Sequence, residues 1–216
     1  RLGGRSINVV IQGNIIGLDS SGSQKLGNTG DGLQLFGLPE CVVGGMEPNA
    51  GNRIGGNVGH GIRLENGYPV PPEHVGMIKT VIEGNLIGTD STGVNVGNDS
   101  AGVALINTSG NIVRNNRIWY NSTGIVSRYP NANVPGWYGP GENTITGNDI
   151  QQNTVATGIH LENSTDRVIG NLIANDLGDG VYADQGSRPV IRRNNIIDNQ
   201  GWAVANNNPE VTLDAR

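Results

Sequence analysis

The sequence predicts an all-β fold, a parallel β-helix in which one domain spanning residues 1–216 winds through about seven rungs. Two recurring phrases mark the rungs, and the apolar residues alternate instead of following a helical period. Glycine supplies 35 of the 216 residues without a three-residue period, which indicates frequent turns and not collagen. Repetition, alternation and turn chemistry therefore indicate the same fold.

The first phrase consists of a branched aliphatic residue, two variable residues, asparagine, one variable residue and isoleucine. Its two longest copies are "INVVIQGNIIGLDSSG" (7–22) and "KTVIEGNLIGTDSTG" (79–93). The asparagines of the phrase are Asn14, Asn52, Asn85, Asn116, Asn148, Asn171 and Asn194. The last two intervals are both 23 residues long, which indicates that a bare rung has this length and that longer intervals carry insertions.

A second phrase, glycine-apolar-variable-apolar, follows each copy, from "GLQL" (32–35) to "GWAV" (201–204). Such alternation predicts short strands, which can bury a face only by stacking as successive rungs. One expected inward stack contains Ile16, Ile54, Ile87, Ile118, Ile150, Ile173 and Ile196. The other contains Leu33, Ile62, Val103, Ile125, Ile159, Val181 and Trp202. The recurring asparagines are expected to form an amide ladder at a bend.

The phrases "GNLIGTDSTGVNVGN", "NRIGGNVGHGIRLENG" and "IVRNNRIWYNSTGI" resemble the parallel β-helix repeat family of the pectin-lyase-like superfold. The resemblance covers essentially the whole chain and implies a right-handed solenoid with three parallel sheets, of the bacterial extracellular type. The superfold includes polysaccharide lyases, glycoside hydrolases, epimerases, adhesins and viral tailspikes, so the resemblance implies a fold and not an activity. Because neither end shows a polar capping rung, the chain is expected to be a fragment of a longer protein.

Composition excludes several classes of function. The net charge of −5 argues against a nucleic-acid partner, because phosphate binding needs a basic stripe. No apolar run is long enough for a membrane span, and the single cysteine, Cys41, excludes an intrachain disulfide. A single cysteine fits a cytosolic protein, or an extracellular bacterial one that relies on repetition instead of crosslinks. With the resemblance, we expect the second, an extracellular or cell-surface protein whose partner is a polysaccharide or another cell-surface glycan.

Two loops could hold a metal ion. The loops "GLDSSGSQKLGN" (17–28) and "GTDSTGVNVGN" (88–98) place Asp19 and Asp90 at equivalent positions. Aspartate, serine and threonine oxygens could ligate calcium, and no other cofactor is expected. The alternative, which we favour, is that aspartate and glycine form tight turns, because the loops lack the regular alternate-aspartate spacing of a dedicated calcium loop.

A carbohydrate-binding groove is expected where two other insertions leave the same corner of the coil. These insertions occupy residues 67–79 and 127–142, and the second contains Tyr129, Trp137 and Tyr138. Aromatic faces suit sugar rings, and Arg63 and Glu65 on the neighbouring strand add polar contacts. The alternative is that the three aromatic rings fold back and cover the side of the solenoid.

A possible catalytic cluster is expected on the outward face of rungs 4 to 6, comprising Arg128, His160, Glu162, Tyr182 and Asp184. Glu162 and Asp184 should lie one rung, about 5 Å, apart, close to the carboxylate separation of retaining glycosidases. The pair could instead hold calcium, as in the lyases of the superfold, with His160 or Tyr182 removing a proton and Arg128 neutralising the substrate carboxylate. A solvated face with an Arg128–Glu162 ion pair is the non-catalytic alternative.

The first interpretation is therefore a glycan-binding β-helix without demonstrable catalysis in this chain. The alternative is a polysaccharide lyase or glycoside hydrolase that uses the cluster on rungs 4 to 6.

Overall fold

The computed structural model describes residues 2–3, 8–37, 40–66, 79–130, 142–184, 186–207 and 213–214. Every regular element in these ranges is a short strand, and the strands form three parallel sheets. The chain visits sheets A, B and C in turn and then repeats the circuit one rung further along the axis. The predicted right-handed parallel β-helix is thereby confirmed.

Sheet A comprises β1 (Leu2–Gly3), β4 (Leu33–Phe36), β7 (Ile62–Glu65), β10 (Ala101–Ile106), β13 (Thr123–Arg128), β16 (Ile159–Glu162), β19 (Val181–Ala183) and β22 (Val204–Asn206). Sheet B comprises β2 (Val10–Ile11), β5 (Val42–Gly44), β8 (Val81–Glu83), β11 (Ile112–Arg114), β14 (Thr144–Thr146), β17 (Arg167–Ile169), β20 (Val190–Arg192) and β23 (Leu213–Asp214). Sheet C comprises β3 (Ile15–Ile16), β6 (Arg53–Ile54), β9 (Leu86–Ile87), β12 (Arg117–Trp119), β15 (Asp149–Gln151), β18 (Leu172–Ala174) and β21 (Asn195–Ile197). Rungs are numbered by their sheet C and sheet A strands, so that rung 1 contains β3 and β4 and rung 7 contains β21 and β22.

The isoleucine stack on sheet C is confirmed. Each isoleucine pairs in register with its equivalent on the next rung, as Ile118 does with Ile87 and Ile150. The five middle members of the stack are fully buried, and Ile16 and Ile196 pack against them as partly buried ends. The core is therefore a set of aliphatic columns that run along the axis.

The sheet A stack is confirmed for six of its seven members, and the assignment of Trp202 is wrong. Val204 takes the inward place beside Val181, and Trp202 is 75% exposed in the corner before β22. The cause is register: Val181 and Val204 are separated by the 23 residues of a bare rung. The glycine of "GWAV" lies three residues before β22, whereas in the other rungs the glycine of the phrase directly precedes the inward residue of the stack.

The predicted asparagine ladder is confirmed at the bend between sheets B and C. From Asn14 to Asn194, each side-chain Nδ2 donates to Oδ1 of the next asparagine at 2.9–3.0 Å. A second ladder, which the sequence reasoning missed, follows the bend between sheets C and A. Its members are Asn28, Asn57, Asn98, Asn121, Asn153, Asp176 and Asn199. The ladders satisfy amide groups that would otherwise be buried without partners.

Candidate functional site on the outward face of sheet A

Alternation along the strands of sheet A places one set of side chains in the core and the other outside. In β16, Ile159 and Leu161 are fully buried, whereas His160 and Glu162 are partly exposed. Parallel pairing aligns His160 with Tyr182 on the next rung and Glu162 with Arg128 on the previous one. The outward side chains therefore form columns about 4.8 Å apart.

Arg128 and Glu162 form the expected ion pair across rungs 4 and 5. Arg128 Nε lies 2.6 Å from Glu162 Oε2, and the two side chains are 45% and 28% exposed. Since solvent reaches both groups, the ion pair adds little to stability. It does fix a planar guanidinium and a planar carboxylate side by side on the surface.

His160 and Tyr182 pack edge to face beside this ion pair. Their ring centroids are 5.0 Å apart with planes at 79°, and Asn207 Nδ2 donates to the Tyr182 hydroxyl at 2.8 Å. Burial lowers the pKa of His160, the Arg128 cation lowers it further, and the carboxylates of Glu162 and Asp184 act in the opposite direction. The imidazole is therefore neutral at pH 7 and can both donate and accept a hydrogen bond.

Asp184 has a different set of partners from Glu162. Its Oδ1 accepts hydrogen bonds from Asn163 N at 3.0 Å, Gly186 N at 3.1 Å and Ser187 Oγ at 2.8 Å. These contacts hold the corner that follows β19, while Glu162 pairs with Arg128. A joint catalytic role of the two carboxylates stays a prediction, and their separate hydrogen bonding does not favour it.

Arg63 and Glu65 form a second ion pair at the lower end of the face. Arg63 Nη2 lies 2.7 Å from Glu65 Oε2, and Asp31 Oδ2 lies 3.8 Å from Arg63 Nη1. Asp31 Oδ1 also accepts a 2.7 Å hydrogen bond from the backbone amide of His60. Both residues predicted for carbohydrate contact are thus on the outward face, and their role stays a prediction.

The middle of the face is apolar and enclosed. Ala104 and Val126 occupy the outward column between Arg63 and His160, yet they are only 0% and 8% exposed. They pack with Ala101, and partly buried Ile106 adjoins them. The outward face is therefore divided into two polar ends, and the end formed by rungs 4 to 6 carries the ring pair.

Tyr129 is not available for sugar binding, so its assignment is wrong. The ring is 4% exposed, and its hydroxyl donates to the Thr108 carbonyl while accepting a 2.8 Å hydrogen bond from Asn143 Nδ2. Residue 129 directly follows β13, where the side chain turns into the polar corner between sheets A and B. Trp137 and Tyr138 lie outside the described residues, as do residues 67–78 of the other insertion.

Asp19 and Asp90 close their own loops, as the turn interpretation predicts. Asp19 Oδ1 accepts from Ser21 Oγ and from the amides of Ser23 and Gln24 at 2.8–3.1 Å. Asp90 Oδ1 accepts from the amide and hydroxyl of Thr92 and from Val94 N at 2.8–2.9 Å. The calcium hypothesis gains no support from this geometry, because both carboxylates serve as hydrogen-bond acceptors for the turns.

Comparison with known proteins assigns the family. A family model described as "Periplasmic copper-binding protein (NosD)" matches residues 7–213. The chain belongs to the NosD family. Neither a curated protein nor a solved structure matches it significantly. Within its described ranges, this NosD-family chain has no helix that could cross a membrane.

The described residues do not fit the copper centre that the NosD description implies. Protein copper ligands are imidazoles, thiolates and thioethers. Cys41 is fully buried in the core, the Met46 thioether is exposed in the corner after β5, and His60 and His160 are three rungs apart, about 14 Å along the axis. Across the described ranges, no three His, Cys, Asp or Glu side chains come together as a metal site would need. His74 and Met77 lie outside those ranges.

Two surface features on sheet C were missed by the sequence reasoning. A cavity of about 500 Å³ lies between the outward column Ile15–Arg53–Leu86 and the turn at 46–49, but much of its wall is glycine. Higher on the sheet, Trp119 Nε1 donates to Asp149 Oδ1 at 3.0 Å, and the Arg117 guanidinium lies 4.7 Å from the Trp119 ring centroid. Strand pairing on sheet C places Arg117 beside Asp149 and Trp119 beside Gln151, so the outward columns of this sheet predict the contact.

Proposed function

We propose that the outward face of sheet A over rungs 4 to 6 binds a polysaccharide outside the cytoplasm. One observation carries the proposal: the Arg128–Glu162 ion pair, His160 and Tyr182 occupy consecutive rungs in register. A row of polar groups repeated every 4.8 Å or so is suited to a polymer whose hydroxyl groups also repeat. The NosD description supports the periplasm as the compartment.

The chemistry of the row matches sugar recognition. The Arg128 guanidinium has five N–H donors, and its Nε is the one placed on Glu162, so other donors can contact hydroxyl groups. The neutral His160 ring offers both a donor and an acceptor, and Tyr182 adds an aromatic edge. Each group presents a polar tip beside an apolar body, which is the combination that a sugar ring requires.

The geometry favours binding over polysaccharide cleavage. A hydrolase needs an acid and a second carboxylate that act on one bond. Glu162 is paired with Arg128, and Asp184 is committed to its corner by three hydrogen bonds. No specific observation favours the enzyme alternative.

The test is affinity electrophoresis of the protein against neutral and acidic polysaccharides. Tyr182→Ala and Arg128→Gln should each weaken binding of the retained polymer, by about 1–3 kcal/mol for the aromatic truncation on the scale of base–aromatic stacking. Arg167→Gln, an exposed arginine on sheet B, serves as the matched control and should bind as the parent does. The proposal fails if no polysaccharide in the gel slows the parent protein, or if Arg167→Gln reduces this retardation as much as the two test variants do.

A further inference from the structure

Two aspartates occupy ladder positions that asparagine holds elsewhere. In the ladder between sheets C and A, Asp176 lies 23 residues from both Asn153 and Asn199. In a shorter ladder between sheets A and B, Asp166 lies 23 residues after Asn143. Both aspartates are fully buried. Substitution of an amide by a carboxylate in a buried ladder changes a donor into an acceptor.

Asp176 uses only one of its two carboxylate oxygens in hydrogen bonds. Oδ1 accepts from Asn153 N at 2.9 Å and from Asn153 Nδ2 at 2.8 Å. The backbone amide of Asp176 donates to Asn199 Oδ1 at 3.0 Å. Oδ2 is buried without a hydrogen-bond partner. An orphaned, buried carboxylate oxygen needs an explanation, because its desolvation is costly.

The unpartnered oxygen lies in the place of an amide nitrogen. A methyl group added at Gly158 would lie 2.5 Å from Asp176 Oδ2, and one at Gly102 would lie 2.9 Å from Asn121 Nδ2. In that place, Asn121 Nδ2 donates to the carbonyls of Ile87 and Trp119. The surroundings of Asp176 Oδ2 are therefore expected to be acceptors, which suit an O–H group and repel an ionised oxygen.

Asp166 repeats the pattern in the corner beside Tyr129. Its Oδ1 accepts from Asn143 N at 2.8 Å, while Oδ2 is buried without a partner. The hydroxyl oxygen of Ser127, in the same polar corner, is also buried without a partner. A proton on Asp166 would turn Oδ2 from an acceptor only into a donor, so that it could form a hydrogen bond with the Ser127 hydroxyl oxygen, which accepts as well as donates.

We propose that Asp166 and Asp176 are protonated in the folded coil, so that rungs 5 and 6 carry two proton-binding positions that couple folding to pH. The proton on each side chain replaces the amide hydrogen that asparagine contributes at other ladder positions. An acid of this kind is nearly isosteric with asparagine while it is neutral. When it ionises, it becomes a buried charge without a counter-ion.

The electrostatics agree with this geometry. Burial raises the pKa of Asp176 to about 7, against the hydrogen bonds from Asn153. Burial raises the pKa of Asp166 to about 6, and the neighbouring polar groups of Ser127, Asn143 and Ser164 act in the opposite direction. No cation opposes either effect among the described contacts of the two carboxyl groups.

The titratable neighbours have their own contacts. Asp179, in the corner of Asp176, accepts the backbone amide of Trp202 through Oδ1, and Asp198 precedes the Asn199 ladder position. Tyr129 faces Asp166 and has a raised pKa, first because of burial and then because of this carboxyl group. Asp184 lies one rung above Asp166 and holds Ser187. These neighbours supply no positive charge that would favour ionisation.

The sign of the linkage follows from the raised pKa values. Unfolded aspartate releases its proton near pH 4, whereas the folded protein keeps both protons until about pH 6 to 7. Over that interval the folded state binds more protons, so the stability falls as the pH rises. His60 and His160 have lowered pKa values and contribute the opposite slope, so variants of the aspartates are needed to separate the two effects.

The experiment measures urea unfolding of the parent, Asp166→Asn, Asp176→Asn and the double variant between about pH 5 and pH 8. Each asparagine variant should restore the ladder donor and raise the urea midpoint at the alkaline end of the pH range. It should also remove that aspartate's contribution to the fall in unfolding free energy with rising pH. Asp198→Asn, an exposed acid in the neighbouring corner, is the matched control and should keep the parent slope.

Infrared spectroscopy of the parent protein provides a readout that needs no variant to fold. A protonated carboxylic acid band should persist at about pH 6, where exposed carboxyl groups are ionised. The band should be absent from the double variant. The proposal is overturned if the parent shows no such band, or if the folded double variant keeps both the band and the parent slope.

Discussion

Ser23 Oγ donates a 2.7 Å hydrogen bond to Asp90 Oδ2, which joins the loop of rung 1 to the loop of rung 3. The contact passes over rung 2, where Gly55 and Gly56 replace a loop. A methyl group added at Gly55 would lie 2.2 Å from the Val96 carbonyl oxygen. The glycine pair therefore leaves the space in which the two loops meet.

Gly55→Ala should destabilise the protein by about 1–3 kcal/mol, because the added methyl group overlaps backbone that cannot move independently. Chemical denaturation measures the loss. Gly30→Ala is the matched control, since nothing lies within 4 Å of an added methyl group there. Equal stability of the two variants would contradict the close approach of the loops.

Asp90→Ala should cost about 1–3 kcal/mol at pH 7, because Ser23, Thr92 and Val94 all lose an acceptor. Burial opposes ionisation of Asp90, but hydrogen bonds from Ser23, Val94 and Thr92 outweigh it and lower the pKa. The stabilisation is therefore present at neutral pH and is lost as the pH falls through the folded pKa. The unfolding free energies of the parent and of Asp90→Ala should converge as the pH is lowered. A difference that stays constant with pH would refute this account.

Asn116→Ala should be the more damaging of two ladder truncations, by about 2 kcal/mol or more. The Asn116 side chain donates to the Ile82 carbonyl and to Asn148 Oδ1, and its own Oδ1 accepts from Asn85. Asn14, at the exposed end of the same ladder, serves as the control because water can replace its lost partners. Thermal unfolding compares the variants, and a greater loss at Asn14 would count against the ladder as a source of stability.

Trp202→Ala should change the free energy of unfolding by less than about 0.5 kcal/mol, whereas Val204→Ala should cost about 1–2 kcal/mol. The reason is that Val204 pairs with Val181 inside the coil and Trp202 faces solvent. Urea denaturation decides between the two registers. A greater loss of stability for Trp202→Ala than for Val204→Ala would show that Trp202, and not Val204, occupies the core position.

The repeat made the axial columns predictable, but side chains at corners were not. Ile118 and Ile150 could be assigned because each rung places isoleucine two residues after asparagine. The prediction for Trp202 is wrong because it rests on the glycine of "GWAV", whereas the 23-residue interval from Val181 leads to Val204. Tyr129 and Asp184 directly follow strands, and both side chains turn into corners of the coil. There Tyr129 accepts a hydrogen bond from the Asn143 amide, and Asp184 accepts one from the backbone of Asn163. Local hydrogen-bonding demand at a bend is not encoded in strand alternation.

Each ladder amide is satisfied by its own coil and the adjoining ones, so nothing in the architecture sets a total length. A whole turn of 23 residues, such as the one between Asn171 and Asn194, could be gained or lost while the amides on either side still met. Closed barrels lack this freedom, because removal of one strand changes their circumference. The number of rungs can thus vary among relatives while the same core columns continue through each added rung. The length of the surface available to a partner varies with it.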